Sequence, residues 1–190
     1  MKGRFKGINF VSMSTTFNVP ARDEVSPANQ GIFDTVKKSM GFVPNLYASF
    51  AHSENALGTF LGAQGGKSSL SAKEKEIVNL VVSQINNCTY CLSAHSAVAK
   101  SNGFTDEQIL EIRSGEISFN EKYDALAKFA KSLAENKGEV DASIIDEFIA
   151  RGYTQENLID TIMLAGIRTI TNYVYAVTKP EVDFPAVPSL

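Results

Sequence analysis

Strand alternation, internal repeats and low-complexity tracts are all absent from this sequence. That leaves helices as the regular element and an all-α fold class. Cysteine is just as scarce. Cys88 and Cys91 are the whole complement, and two thiols three positions apart cannot staple a fold, so the pair reads as catalytic or metal-binding rather than as a disulfide framework. No charge of either sign is in surplus. Against 18 Lys and Arg stand 21 Asp and Glu, a net charge of -3, which supplies no electrostatic footprint for nucleic acid or for an anionic membrane surface. An apolar run able to span a bilayer is also lacking. The uncharged stretch from Ile77 to Ala99 comes nearest in length, but Asn79, Ser83, Gln84, Asn86, Asn87 and Thr89 interrupt it, so no membrane partner is expected. The basic start, M-K-G-R-F-K, lacks the apolar run of a secretory signal, and a cytoplasmic location is the expectation.

What is present is an ordinary globular composition, 44% hydrophobic over 190 residues, enough for one domain with a substantial core. Residues 1–22 read as a flexible leader, 23–178 as a single helical domain and 179–190 as an extended tail holding three of the six prolines. Cap signals divide the domain. Ser26-Pro27 opens a helix that Gly41 closes; shorter helices follow at Leu46–Phe50 and Ala56–Gln64, the second ended by Gly65-Gly66. The capping box Ser71-Ala72-Lys73-Glu74 starts a helix to Ile85, Asn86-Asn87 breaks it, and another runs from about Cys88 to Asn102 with Gly103 as its stop. Thr105, Ser118 with Glu121, Asp141 and Thr154 mark the starts of four more. The last, from Thr154 to about Val177, is apolar nearly all round, which suits a core helix or a subunit interface. The aromatic run Phe42, Tyr47, Phe50 and Phe60 reads as packing, and His52 as a surface or helix-end residue.

The chemistry concentrates between Glu76 and His95. On a helix Cys88 and Cys91 are i and i+3, and Cys91 and His95 are i and i+4, so the three side chains share one face. Cys88 stands at the helix N-terminus and Cys91 in the first turn, where free N–H groups and the helix dipole favour a thiolate, the nucleophilic form. An imidazole one turn on can take the thiol proton. Glu76, near the start of the preceding helix, faces the same site if the two helices pack antiparallel, and a carboxylate there can orient the imidazole or relay its proton.

Glu76, eleven intervening residues, then C-x-x-C-x-x-x-H at Cys88, Cys91 and His95, followed by A-V-A-K-S-N-G at 97–103, resembles the alkylhydroperoxidase-D-like (AhpD-like) branch of the carboxymuconolactone decarboxylase superfamily. The D-F-P-A-V-P segment at 183–188 looks like the shorter, peroxidase-related members. The resemblance implies an AhpD-like bundle of about seven to nine helices with the cysteine pair at the N-terminus of a central one. It implies a cysteine-based peroxidase in which Cys91 meets the hydroperoxide, Cys88 resolves it, His95 is the base and Glu76 the relay, with no cofactor and no metal. It also implies a dithiol or lipoyl-type protein as reductant and a homo-oligomer, trimer or hexamer. One position departs: the best-known member has histidine directly before the second cysteine, and here Tyr90 stands there, a possible supporting residue whose phenol can hydrogen-bond within the site.

Two other chemistries use the same residues. Cys88, Cys91, His95 and Glu76 could form a tetrahedral zinc shell, and a C-x-x-C pair could serve a general thiol-disulfide oxidoreductase that never meets peroxide. Haem attachment is excluded because Leu92, not histidine, follows Cys91.

Overall fold

The computed structural model describes residues 17–188 and 190. Among these residues nine α-helices follow one 3-10 turn and no strand occurs, so the fold is all-α. The helices are α1 Pro27–Met40, α2 Asn45–Phe50, α3 Ala56–Gln64, α4 Ala72–Ile85, α5 Thr89–Ser101, α6 Asp106–Ser114, α7 Glu121–Glu135, α8 Ala142–Ala150 and α9 Gln155–Thr178. Of the expected leader, residues 1–16 lie outside the described residues. Residues 17–21 carry no regular structure, and Phe17 lies edge-on to His52, whose Nε2 is 2.9 Å from the Asn18 carbonyl.

The cap residues set most boundaries. The Ser26 hydroxyl accepts the Asn29 N–H, and Gly41 ends α1 in the left-handed region at φ 86°, where a Cβ would be strained. At α4 the box closes in both directions, Glu74 N–H to Ser71 Oγ and Ser71 N–H to Glu74 Oε2. The start of α7 differs from expectation. Ser118 is not its cap: the Ser118 N–H is drawn to the Glu111 carboxylate at 2.6 Å, and Asn120 Oδ1 accepts the Tyr123 N–H instead, so the helix begins later.

Helix α4 is the centre of the fold and packs against α5, α6, α7 and α9. Its Ile77, Val78, Leu80, Val81 and Val82 are fully buried, and each such side chain contributes about 1.5–3 kcal/mol by leaving water. One core cluster joins α4 to α6, α7 and α8; a second, around α1 to α3, includes Cys88, Tyr90 and Cys91. The cysteines thus belong to the second cluster, while the next residue, Leu92, belongs to the first.

The turn between α4 and α5 fixes the sulfurs. Asn87 takes the left-handed conformation, φ 53°, its N–H bonds to the Gln84 carbonyl, and the Cys88 N–H bonds to the Ser83 carbonyl at 2.9 Å. These paired bonds are a Schellman closure of α4. Cys88 is at once the residue that completes it and the N-cap of α5, where its sulfur accepts the Cys91 N–H at 3.3 Å.

Helix α9, expected as a core helix or a subunit interface, does not form the apolar core helix. Its inward face is polar, with Thr161, Arg168, Thr171 and Asn172 buried, while Ile159, Met163, Ile170, Tyr173 and Val177 are more than half exposed. Among the described residues no helix is long and apolar enough to cross a membrane.

Candidate active site

Helices α4 and α5 run back along each other through the tight turn at 86–88, so Glu76 near the start of α4 comes opposite His95 on α5. Glu76 Oε2 lies 2.7 Å from His95 Nδ1. The other carboxylate oxygen accepts the Asn79 amide at 3.0 Å, and Asn79 Oδ1 accepts Arg168 Nε–H from α9, also at 3.0 Å. Arg168 Nη1 donates to Thr171 Oγ1 at 3.1 Å, and Thr171 Oγ1 is 3.9 Å from Cys91 Sγ. A continuous polar chain thus joins His95, Glu76, Asn79, Arg168, Thr171 and Cys91. Cys88 and Cys91 are paired as a disulfide, which is the oxidised form of the site.

Burial works against charge on every member. It opposes ionisation of Glu76, but His95, the Asn79 amide and Arg168 together outweigh it and hold the carboxyl below its usual value. For His95 burial dominates and Arg168 adds to it, so its pKa falls despite Glu76, and the ring is neutral at neutral pH. A neutral ring beside a carboxylate donates from Nδ1 and leaves Nε2 as a base. Arg168 is pulled down to about 10 by burial, with Glu76 opposing, and stays protonated. The buried charges of the oxidised site are then Arg168 and Glu76, which compensate each other.

A cavity of about 260 Å³ opens onto this chain. Leu46, Tyr47, Val98, Leu164 and Phe184 give it a mostly apolar wall; Glu76, His95, Arg168 and Thr171 line its polar part. Of the two cysteines, Cys91 lines it and Cys88 does not. All four motif residues are brought together.

Tyr90 also lines the cavity, but its hydroxyl is committed elsewhere. It donates to Asp183 Oδ1 at 2.5 Å and accepts the Leu46 N–H at 3.2 Å, and burial and Asp183 push its pKa upward. His52 is exposed and is not among the residues that line the cavity. Phe50 and Phe60 stack in the core as expected from the aromatic run, whereas Tyr47 lines the cavity. The four-donor zinc arrangement is not formed: the Glu76 carboxylate and His95 Nδ1 are bonded to each other, and no group of three or more His, Cys, Asp or Glu among the described residues is arranged to hold a metal.

Asn79, Arg168, Thr171, Asp183 and Phe184 are the site residues that sequence reasoning missed. Arg168 carried a signal, being the one charge between Asp160 and Lys179. Asn79 lies one turn from Glu76 inside an uncharged run. Nothing in the sequence brings Asp183 to Tyr90.

Residues 51–127, a span holding Glu76, Cys88, Cys91 and His95, match the Carboxymuconolactone decarboxylase family. No curated protein matches the chain. In fold it is similar to an uncharacterised peroxidase-related protein from Silicibacter sp. TM1040, at 23% identity over 92% of this chain and 95% of that one, TM-score 0.77. It is also similar to an AhpD-core, peroxidase-related protein from Ralstonia eutropha JMP134, at 18% identity over 88% and 91%, TM-score 0.79. A third likeness is to the debrominase Bmp8 in complex with 2,3,4-tribromopyrrole, at 20% identity over 90% and 93%, TM-score 0.74.

Proposed function

We propose that this chain, an AhpD-like member of the carboxymuconolactone decarboxylase superfamily, is a cysteine-based peroxidase that reduces hydrogen peroxide or organic hydroperoxides. The observation that carries the reading is the asymmetry of the two cysteines: the cavity is lined by Cys91, His95 and Glu76 and not by Cys88. Once a dithiol has reduced the disulfide, His95 Nε2 takes the Cys91 proton and Glu76 holds the imidazolium through Nδ1–H. The buried charges then balance, Arg168 and imidazolium against Glu76 and thiolate. The thiolate attacks the distal peroxide oxygen, the O–O bond breaks, and the departing alkoxide takes the proton from His95; Cys91 is left as a sulfenic acid. The Cys88 thiol attacks that sulfur, its proton leaves with the hydroxyl as water, and the disulfide returns. An external dithiol or lipoyl-type protein resets the pair, a need met in the cytoplasm.

Reduced protein treated with one equivalent of cumene hydroperoxide is expected to lose both thiols and two hydrogens in mass while the hydroperoxide becomes the alcohol. Retention of both thiols would overturn the reading. Thiol exchange with dithiols and no peroxide consumption would leave a general oxidoreductase; bound zinc protecting the thiols would favour the metal site. The debrominase likeness and the apolar cavity wall favour a second reading, reductive dehalogenation, in which the two thiols supply the electrons that replace a carbon–halogen bond by C–H. Halide release from a bromopyrrole without peroxide consumption would select it.

We also infer that the chain is a homo-oligomer associating through α9. Ile159, Met163, Gly166, Ile170, Tyr173 and Val177 recur in steps of four and three along its exposed face. That is the average spacing of 3.5 with which one helix seats against another of the same pitch, and a second copy supplies such a partner. Light scattering after size exclusion is expected to show an oligomer for wild type and a monomer for Ile170→Glu with Tyr173→Glu. A wild-type monomer at micromolar concentration would refute this.

A further inference from the structure

Beyond α9 the chain stays on the domain over residues 179–188. Lys179 turns it in the left-handed region, φ 46°, and residues 179–188 cross α2 and the start of α5 without regular structure. Three anchors hold them. Asn45 Nδ2 donates to the Glu181 carbonyl at 3.0 Å; Asp183 accepts the Asn45 N–H at 2.7 Å on one oxygen and the Tyr90 hydroxyl at 2.5 Å on the other; and buried Arg113, its Nε on Gln84, donates from Nη1 to the Pro188 carbonyl at 2.7 Å. Between the anchors Phe184 packs edge-on against both Tyr90, 5.6 Å between ring centres, and Phe42, 5.7 Å, and lines the cavity that reaches Cys91.

The bonding makes the position of Phe184 specific rather than incidental. Asp183 stands next to Phe184 and Tyr90 next to Cys91, so one carboxylate ties the wall to the residue beside the reactive sulfur. An ionised carboxylate can accept from both donors at once, whereas an amide offers one accepting atom and presents N–H groups to the other. Phe184 is an aromatic wall with two aromatic neighbours, an arrangement that fixes the ring at low cost in side-chain freedom.

We propose that Phe184 is the specificity-determining wall of the site and Asp183 its positioning residue: together they set how bulky a molecule can reach Cys91. The inference rests on the peroxidase reading for its substrate class, hydroperoxides with a compact apolar body, and on the cavity alone for its geometry. Removing the ring widens the route to the sulfur. Loosening the strap lets the ring leave its place.

Two measurements on the full chain separate these dependences. The first is kcat/KM for hydrogen peroxide and for cumene hydroperoxide in wild type, Phe184→Ala, Phe184→Trp and Asp183→Asn. Phe184→Ala is expected to raise the ratio of the bulky to the small substrate by about tenfold, the low end of what apolar pocket contacts discriminate. Phe184→Trp is expected to lower the ratio, and Asp183→Asn to shift it in the direction of Phe184→Ala by a smaller factor. The second is alkylation of Cys91 in the reduced protein by iodoacetamide and by a pyrene maleimide, with the labelled cysteine identified by peptide mapping. The bulky reagent alone should gain on Phe184→Ala and lose on Phe184→Trp. If no protein consumes peroxide but the maleimide rates move as stated, the wall stands and the peroxidase reading falls. If wild type consumes both peroxides and neither ratio moves in folded Phe184→Ala and Phe184→Trp, the wall is refuted.

Discussion

Cys91→Ser is expected to reduce kcat/KM for cumene hydroperoxide by at least about 10³-fold, because a hydroxyl in place of a thiol removes the nucleophile itself. Cys88→Ser is expected to behave differently. Its Cys91 still lines the cavity with His95 and Glu76, so one equivalent of peroxide per chain should be consumed at a rate near wild type, after which turnover stops. The product should be a sulfenic acid at Cys91 that dimedone traps, since the sulfur that would displace water is gone. Both sulfurs are buried, so exposure does not decide between them; the route to solvent does. Stopped-flow peroxide consumption followed by peptide mass analysis reads both variants. Trapping at Cys88 in Cys91→Ser, with Cys88→Ser inert, would reverse the assignment. Continued turnover by Cys88→Ser would show that resolution comes from outside the pair.

The helices were legible because their ends are written in local chemistry. Ser26-Pro27 with Gly41, Ser71 with Glu74, and Asn86-Asn87 each act within a few residues, and each stands in the structure as a cap or a turn. The Glu76, Cys88, Cys91 and His95 grouping was legible for a related reason: one hairpin of two helices suffices to assemble it, and the spacing through Asn87 sets the register. Ser118 misled because the acceptors that take the backbone N–H groups here, Glu111 and Asp124, lie on two different helices. The rest of the site depends on α9 and the tail, about 80 to 90 residues away in sequence. Contacts of that range leave no periodic trace, so Arg168 could be noticed only as an isolated charge. Helix α9 shows the limit of apolar patterning most plainly. Its pattern is continuous, yet its inward face is polar because it must meet the buried chain of Asn79, Glu76 and Cys91, while its large apolar side chains turn outward.

Glu76→Gln is expected to cost about 3–5 kcal/mol of stability at pH 7, because it leaves the Arg168 cation buried without its counter-charge. It should also reduce kcat/KM by about 10²–10⁴-fold, since the imidazolium that forms when Cys91 gives up its proton loses the carboxylate that holds it. Arg168→Met should destabilise comparably for the opposite reason, a buried carboxylate without a cation. If the two charges compensate each other, the double variant removes both problems at once. Its loss in urea unfolding should then fall short of the sum of the single losses by about 1–3 kcal/mol, the range found for groups in one network. Additive losses would mean that the two charges are solvated independently and that the polar chain from His95 to Cys91 is not a unit. The pH dependence gives a second check. Glu76 has a carboxyl pKa held below 4.5 in the folded chain, so its contribution is complete above that value and is lost as pH falls through the folded pKa. His95, buried and held below 6.5, also makes the unfolded chain the better proton binder, so stability should already decline as pH drops below about 6.5. Glu76 raises the His95 pKa against burial and Arg168; without that carboxylate the base is weaker, and the acid limb of the rate profile in Glu76→Gln should move to lower pH even as the plateau falls. A merely structural role for Glu76 would lower the plateau and leave the limb where it is.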